Sequence, residues 1–293
     1  MIRPKSFGIW GNTDKDSFWG ILPDILNWAD EKSLLVYASQ RILNAPGHGI
    51  LDIPSIKSKE DFDDLDFMLS LGGDGTFLSL ARAIEHRKTP ILGIHLGDLG
   101  FLAKVTKDDL FTRLNQVFQG EFILEKRMML NAIIQKNEGS RNYIGLNDFV
   151  LSNGDSHRML SDRDHINEHL VSDYRADGLI ISTPTGSTAY SLSAGGPIVV
   201  PELDSFILTP SSAHTLTSRP LVVSPQSKIV LSFPRTSESI LFIADGQIHE
   251  SMDPTSKIEI TRANYDINLI NFKDSDYFET LRTKMGWGTR GSK

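Results

Sequence analysis

No cysteine occurs among the 293 residues. That excludes a disulfide framework and thiol chemistry, and it fits a reducing compartment. A basic stripe is missing as well. Lys and Arg number 30 against 37 Asp and Glu, for a net charge of -7. The cations are scattered, so neither nucleic acid nor an anionic membrane surface is an expected partner. An anionic ligand must then be held by local N–H groups and single cations. Long apolar runs are absent too. The longest uncharged stretch, Gly178 to Pro201, is rich in Ser, Thr, Gly and Pro and is no membrane span. The opening residues lack the apolar core of a secretory signal. Together these absences predict a cytoplasmic location.

What is present reads as two domains. The hydrophobic content of 40% and the charged content of 23% are those of an ordinary globular protein. In the first third, short apolar runs alternate with helix-like ones. Ser6 to Trp10, Ser33 to Ala38, Phe67 to Leu71 and Pro90 to Leu96 read as strands, and Asp16 to Trp28 reads as an amphipathic helix. Thr106 with Asp109 has the spacing of a capping box for a helix that Gly120 ends. Such alternation predicts an α/β domain with a parallel, Rossmann-like sheet. From about Glu121 the pattern changes to short β-type runs separated by turn residues, which predicts an all-β domain. The segment from Asp276 to Trp287 reads as a helix again. The expected bounds are 1–125 for the first domain, with 266–293 packing back onto it, and 126–265 for the second.

Two stretches carry chemistry. In the first, an apolar run ends in Gly72-Gly73-Asp74-Gly75 and a periodic apolar segment follows. A glycine turn at a strand's C-terminal end brings N–H groups close to a ligand, and the next helix turns its positive end toward phosphate. Glycine serves where a side chain would block that approach or the required φ angle. A carboxylate there would repel phosphate, so Asp74 makes sense if it takes a proton from a hydroxyl or works through a metal ion. A blander alternative makes Asp74 the N-cap of the following helix. The second stretch, Asp173 to Val199, opens from a strand into a long, nearly uncharged run of hydroxyls and glycines. Its many small donors suit the sugar and phosphates of a nucleotide, and a Ser/Thr-rich turn region is the structural alternative.

Seven segments, in order, resemble bacterial NAD kinases: Leu71 to Leu78, Gly93 to Leu102, Leu146 to Ser152, Tyr174 to Ile198, Leu216 to Val223, Ala244 to Gln247 and Leu281 to Gly288. The resemblance implies an enzyme that transfers the terminal phosphate of ATP, or of polyphosphate, to the 2′-hydroxyl of the NAD adenosine ribose with Mg²⁺ or another divalent cation, giving NADP. It implies that Asp74 is catalytic and contacts NAD together with Gly75. It further implies that Gly72, Gly73, Gly75 and Thr76 line the donor phosphates, and that Phe101 lies beside the adenine. Asn147 and Asp148 would hold a ribose and the far half of the dinucleotide. Asp177, Thr185, Thr188, Ala189, Tyr190 and Ser193 would bind nucleotide, with Arg175 as a phosphate contact and Asp245 as a further NAD residue. A homodimer or homotetramer built through the β domains is implied as well. Diacylglycerol-type lipid kinases and phosphofructokinases carry related glycine loops. A lipid kinase or a non-catalytic dinucleotide sensor is therefore the alternative.

Three decoys can be weighed. His165-Ile166-Asn167-Glu168-His169 fits a zinc-peptidase pattern, but that chemistry needs both histidines on one helix face. The segment sits between strand-like runs and is dense in Asp and Arg, so a solvated hairpin tip is expected. The acidic group Asp61, Asp63, Asp64 and Asp66 reads as a solvated lead-in to a strand rather than a metal site. Trp287 is expected to anchor the tail on the first domain.

Overall fold

The computed structural model describes residues 3–46, 51–136, 139–153, 159–212, 217–236 and 239–287. Two units emerge, one formed by Met1–Lys126 with Ile267–Lys293 and the other by Arg127–Asp266. In chain order the elements begin with β1 (Ser6–Gly11), α1 (Asp16–Glu31), β2 (Leu35–Ser39), α2 (Gln40–Leu43) and β3 (Ser55–Ile56). Next come β4 (Phe67–Gly72), α3 (Asp74–Ile84), β5 (Ile91–His95) and α4 (Leu110–Gln119). They are followed by β6 (Ile123–Lys136), β7 (Gly139–Gly145), β8 (Asp148–Ser152), β9 (Leu160–Ile166), β10 (His169–Ala176) and β11 (Gly178–Ser182). The remainder is α5 (Tyr190–Ser193), β12 (Phe206–Ser211), β13 (Leu221–Val223), β14 (Ile229–Ser232), β15 (Ile240–Ala244), β16 (Ile248–Met252), β17 (Lys257–Asn271) and α6 (Tyr277–Met285).

In the first unit the strands pair in parallel in the order β3-β2-β1-β4-β5, and the end of β17 joins β5 with Leu269 opposite Ile91. A parallel sheet must be covered on both faces, so its strands read as apolar runs. All six residues of β4 are buried. On one face, Phe67, Leu69 and Leu71 pack with Phe18, Leu22 and Ile25 of α1 and Leu110, Leu114 and Val117 of α4. Phe7 stacks on Phe67 at 5.0 Å between centroids and meets the edge of Trp28 at 6.1 Å. Burial of each such ring contributes roughly 1.5–3 kcal/mol. α3 covers the other face with Phe77, Leu80, Ala81 and Ile84, and the Trp10 indole N–H donates to the Ser79 hydroxyl. Thr106 bonds Asp109 in the turn before α4, while Gly120 ends that helix in the left-handed region, φ 77°.

The acidic group around Asp66 is structural. Asp66 accepts the N–H groups of Lys5 and Ser6, and Asp61 accepts those of Lys57 and Ser58. Asp63 pairs with the buried Arg87 at 3.3 Å, and Glu60 does so at 3.2 Å.

The second unit is mostly antiparallel. One sheet runs β13-β12-β11-β8-β15-β16, a second set runs β10-β9-β14-β17, and β6 forms a hairpin with β7. Inward residues of both sets, among them Leu130, Phe149, Leu151, Ile181, Leu208, Phe242 and Ile258, form one apolar cluster. Strands β9, β10, β12 and β16 are not resolved by sequence periodicity.

The charged segment is a hairpin of β9 and β10 whose turn residues, Asn167 and Glu168, both have positive φ. His165 and His169 therefore sit on two strands and not on one helix, which removes the zinc-peptidase reading. Residues 154–158 lie outside the described residues. The expectation of a solvated segment holds at the exposed turn and fails along β9. There Asp162 and Asp164 share the inward face with Leu160 and Ile166, 2% and 0% exposed, and no side chain outside the pair gives their carboxylates a hydrogen bond. Burial pushes both groups upward, Asp162 to about 6 against the opposing hydrogen bond of Asp164, and Asp164 well above its ordinary value with the Asp162 and Asp173 carboxylates adding to the rise. The fold therefore favours the protonated form of each carboxyl. The pair's contribution to stability is present below the unfolded value of about 3.8 and is lost as pH rises through about 6. The double substitution Asp162→Asn with Asp164→Asn, neutral at every pH, should melt close to the parent at pH of about 4 and several degrees above it at pH of about 8. Thermal melts across that range check the sign.

Candidate active site

Two chain regions gather the chemistry-bearing residues, one in each unit. In the first unit the sheet order reverses beside β1, since the chain steps outward through β2 and β3 and then returns to β4 on the opposite side. In open parallel sheets that reversal leaves a ligand crevice outside the strands' C-terminal ends. The ends of β1, β4 and β5 converge there. Asn12 N–H donates to the Leu71 carbonyl at 2.9 Å, and Leu96 N–H donates to the Gly72 carbonyl at 2.8 Å.

The glycine turn sits at this point, for reasons that differ from the expected φ requirement. Neither Gly72 nor Gly73 has positive φ. A Cβ on Gly72 would run into the Thr76 side chain, whereas one on Gly73 meets no protein atom within 4 Å. Gly73 is the N-cap of α3 without a side-chain cap, and Asp74 is the first helical residue. The N-cap alternative for Asp74 is thereby overturned. Its carboxylate turns instead toward residues 101–103. Oδ2 accepts Phe101 N–H at 2.9 Å, and Oδ1 accepts Leu102 and Ala103 N–H at 3.0 Å each. A Cβ on Gly100 would collide with this carboxylate, so the segment can close over Asp74 only with glycine there.

A matching arrangement occupies the second unit. Asp245 is 6% exposed, stands at φ 50°, and accepts Leu146 N–H at 3.1 Å, Asn147 N–H at 2.8 Å and Asp148 N–H at 3.2 Å. The long hydroxyl-rich loop is stapled to the same turn. Thr183 donates its hydroxyl to the Leu146 carbonyl at 2.6 Å and its N–H to the Asn147 carbonyl at 2.9 Å. A Cβ on Gly186 would strike the Asn147 backbone. Thr185 accepts from Arg127, which is 2% exposed, at 3.3 Å. The amide oxygen of Asn147 is buried without a hydrogen-bond partner. Asp148 is 4% exposed, and burial, followed by the nearby Asp245 charge, pushes its carboxyl up to about 7.

The hydroxyls of the long loop divide into two groups. Ser187 bonds Pro184 and Val199, and Ser191 bonds Thr209 at 2.9 Å, so both serve the fold. Thr188 and Ala189 belong to the same turn as Thr185, while Tyr190 and Ser193 on α5 are exposed. Arg175 on β10 and Asp177 at its end are exposed. No hydrogen bond of either side chain ties it to the Asn147–Asp245 cluster among the described residues.

Three residues escaped sequence reasoning. Lys15, at the N-cap of α1, places Nζ 3.3 Å from where a Cβ on Gly97 would stand, beside the strand ends. Arg127 closes the charged run Glu125-Lys126-Arg127 of β6 and is the member of it that the fold buries, which composition does not reveal. Lys284 reaches the 99–103 segment from α6; it lies in the resembling segment Leu281 to Gly288, but nothing local in the sequence points to that contact. Among the described residues no three His, Asp or Glu side chains converge to hold a metal ion.

Known proteins match the chain along nearly its whole length. Residues 10–122 match the model of the ATP-NAD kinase N-terminal domain, and residues 146–272 match that of the ATP-NAD kinase C-terminal domain. An NAD kinase of Caldanaerobacter subterraneus subsp. tengcongensis is 39% identical over 282 residues, covering 96% of this chain and 99% of that protein. One from Syntrophotalea carbinolica is 36% identical over 293 residues, covering 98% and 100%. Among solved structures, an NAD kinase from Archaeoglobus fulgidus in complex with ATP superimposes with a TM-score of 0.73 at 25% identity, over 96% of this chain and 98% of that one. Yeast NADH kinase complexed with NADH shares the fold, with a TM-score of 0.90 at 21% identity over 99% of this chain and 89% of that one. With both domain models matched and relatives of this identity along nearly its whole length, the chain belongs to the ATP-NAD kinase family.

Proposed function

We propose that the chain transfers the terminal phosphate of ATP, or of polyphosphate, to the 2′-hydroxyl of the NAD adenosine ribose and releases NADP. The observation that carries this reading is the Asp74 carboxylate at the sheet's reversal point. An ionised carboxylate offers roughly four acceptor positions. Three backbone N–H groups take three of them, which leaves one for a substrate hydroxyl. As the hydroxyl oxygen bonds the phosphorus, its O–H bond breaks and the proton passes to Asp74, while the bond to the leaving phosphate oxygen breaks. The N-terminus of α3 and the open side of Gly73 receive the donor phosphates, with Lys15 as a nearby cation. Phe101 lies beside the adenine. Asn147, through its unpartnered amide oxygen, and Asp148 hold the far half of NAD, and Thr185, Thr188 and Ala189 bound the same place.

The fit for a divalent cation is poor as a protein cage, since no set of three ligands converges among the described residues. Mg²⁺ enters, on this reading, as a companion of the donor phosphates and thus as part of the substrate. A homodimer or homotetramer is part of this reading through the resemblance to bacterial NAD kinases. The absence of cysteine supports a cytoplasmic location.

Replacing Asp74 by Asn should lower kcat by about 10²–10⁴ through loss of the base. It should also raise KM for NAD, because the amide cannot accept all three N–H groups. Steady-state kinetics with circular dichroism on one preparation decide the matter, and near-normal kcat would sink the assignment.

A pH dependence follows from Asp148. The ionised form accepts a ribose hydroxyl more strongly than the protonated one, so NAD affinity should rise between pH of about 6 and 8 with a midpoint near 7. The same ionisation works against the fold, because a raised carboxyl contributes stability that is lost as pH climbs through about 7. Calorimetric titration of NAD across this range should show the step for the parent and none for Asp148→Asn.

A further inference from the structure

The 99–103 segment is held from two sides within the first unit. From below, Asp74 takes three of its N–H groups. From above comes α6, whose N-cap Asp276 accepts Phe278 N–H at 2.8 Å and whose C-cap Gly286 closes the helix at φ 64°. The helix is anchored by the buried Leu281. Lys284, one turn further on, donates to the Leu99 carbonyl at 2.7 Å and places the same ammonium 4.9 Å from the centroid of the Phe101 ring. Tyr277 meets that ring at 6.4 Å, tilted by 43°. Lys284 is itself exposed.

We propose that Lys284 is a positioning residue for NAD: by bonding the Leu99 carbonyl and capping one face of Phe101, it fixes the ring against which the adenine lies. This rests on the reading of Phe101 as the adenine contact. The chemistry is that of a cation over a π face, reinforced by a charge-assisted hydrogen bond to backbone. The Leu99 bond sets where the segment begins, the Asp74 bonds set where it ends, and the ring between them has little freedom left. The contacts of Lys284 are to the Leu99 carbonyl and the Phe101 ring and not to Asp74 or the glycine turn, so on this proposal its effect belongs in the binding of the acceptor. An exposed lysine adds little to global stability, which separates this role from a structural one.

Three variants test the proposal: Lys284→Met, Lys284→Arg and Phe101→Leu, each assayed for KM of NAD, KM of ATP, kcat and melting temperature. Lys284→Met keeps the stem and removes the charge. It should raise KM for NAD about tenfold, with KM for ATP within twofold, kcat within about threefold and an unchanged melting temperature. Lys284→Arg, which can both donate to Leu99 and stack on the ring, should restore KM for NAD to near the parent value. Phe101→Leu should raise KM for NAD at least as much as Lys284→Met. If Phe101→Leu impairs NAD binding and Lys284→Met does not, the Lys284 role is wrong and the adenine reading stands. An unchanged KM for NAD in Phe101→Leu overturns both. A Lys284→Arg variant as impaired as Lys284→Met, or a Lys284→Met variant whose melting temperature falls with all its kinetic constants, also overturns the positioning role.

Discussion

One interaction recurs at the centre of each unit: a single carboxylate gathers the N–H groups of three consecutive residues. Asp74 does this for residues 101–103 and Asp245 for residues 146–148. Three adjacent backbone donors in a turn cannot all find partners within a helix or sheet, and leaving them unmet in a partly buried place is costly. A charged acceptor satisfies all three at once and, in doing so, dictates the path of the turn. Other choices nearby follow from that path. Gly100 has no room for a side chain beside Asp74, and a Cβ on Gly145 would come 3.2 Å from Asp245. Asp245 accepts a left-handed backbone conformation that non-glycine residues seldom adopt.

The arrangement reconciles a negative charge with a phosphate-handling turn. Asp74 is not a lone anion facing phosphate, because its charge is largely answered by backbone dipoles before any substrate arrives. The open side of Gly73 and the positive end of α3 lie at the same turn as that neutralised carboxylate. In the second unit the same device has a different by-product. Burial, with the Asp245 charge adding to it, pushes the Asp148 carboxyl up to about 7. Pairs of ionisable groups whose surroundings push their protonation apart are the usual raw material of catalytic and binding sites.

Much of this was legible from residues alone, and the reasons differ by element. The parallel sheet was readable because β1, β2, β4 and β5 are short apolar runs broken by amphipathic helices, which few other folds require. The Asp74 turn was readable because three glycines around one carboxylate have few uses. The partners of Asp74 were not, since residues 101–103 lie 27 to 29 positions away and contribute only backbone. Asp245 carried a weak signal for the same reason, its role being to hold backbone. The buried Asp162 and Asp164 ran against composition. Charge density pointed to solvent, while strand pairing placed them on the same face as Leu160 and Ile166. The long hydroxyl-rich loop was half legible: its place beside Asn147 followed from the motif, but which hydroxyls turn inward is set by packing against Thr209 and Val199.

The central claim is that Asp74 and Asp245 act by holding turns as well as by carrying charge. Amide deuterium uptake, followed by mass spectrometry over peptides spanning residues 99–104 and 145–149, tests it most directly in the parent, Asp74→Ala and Asp245→Ala. The account predicts faster uptake at 99–104 only in Asp74→Ala and at 145–149 only in Asp245→Ala, with the rest of each unit unchanged. Uptake equal to the parent's in both peptides would contradict it.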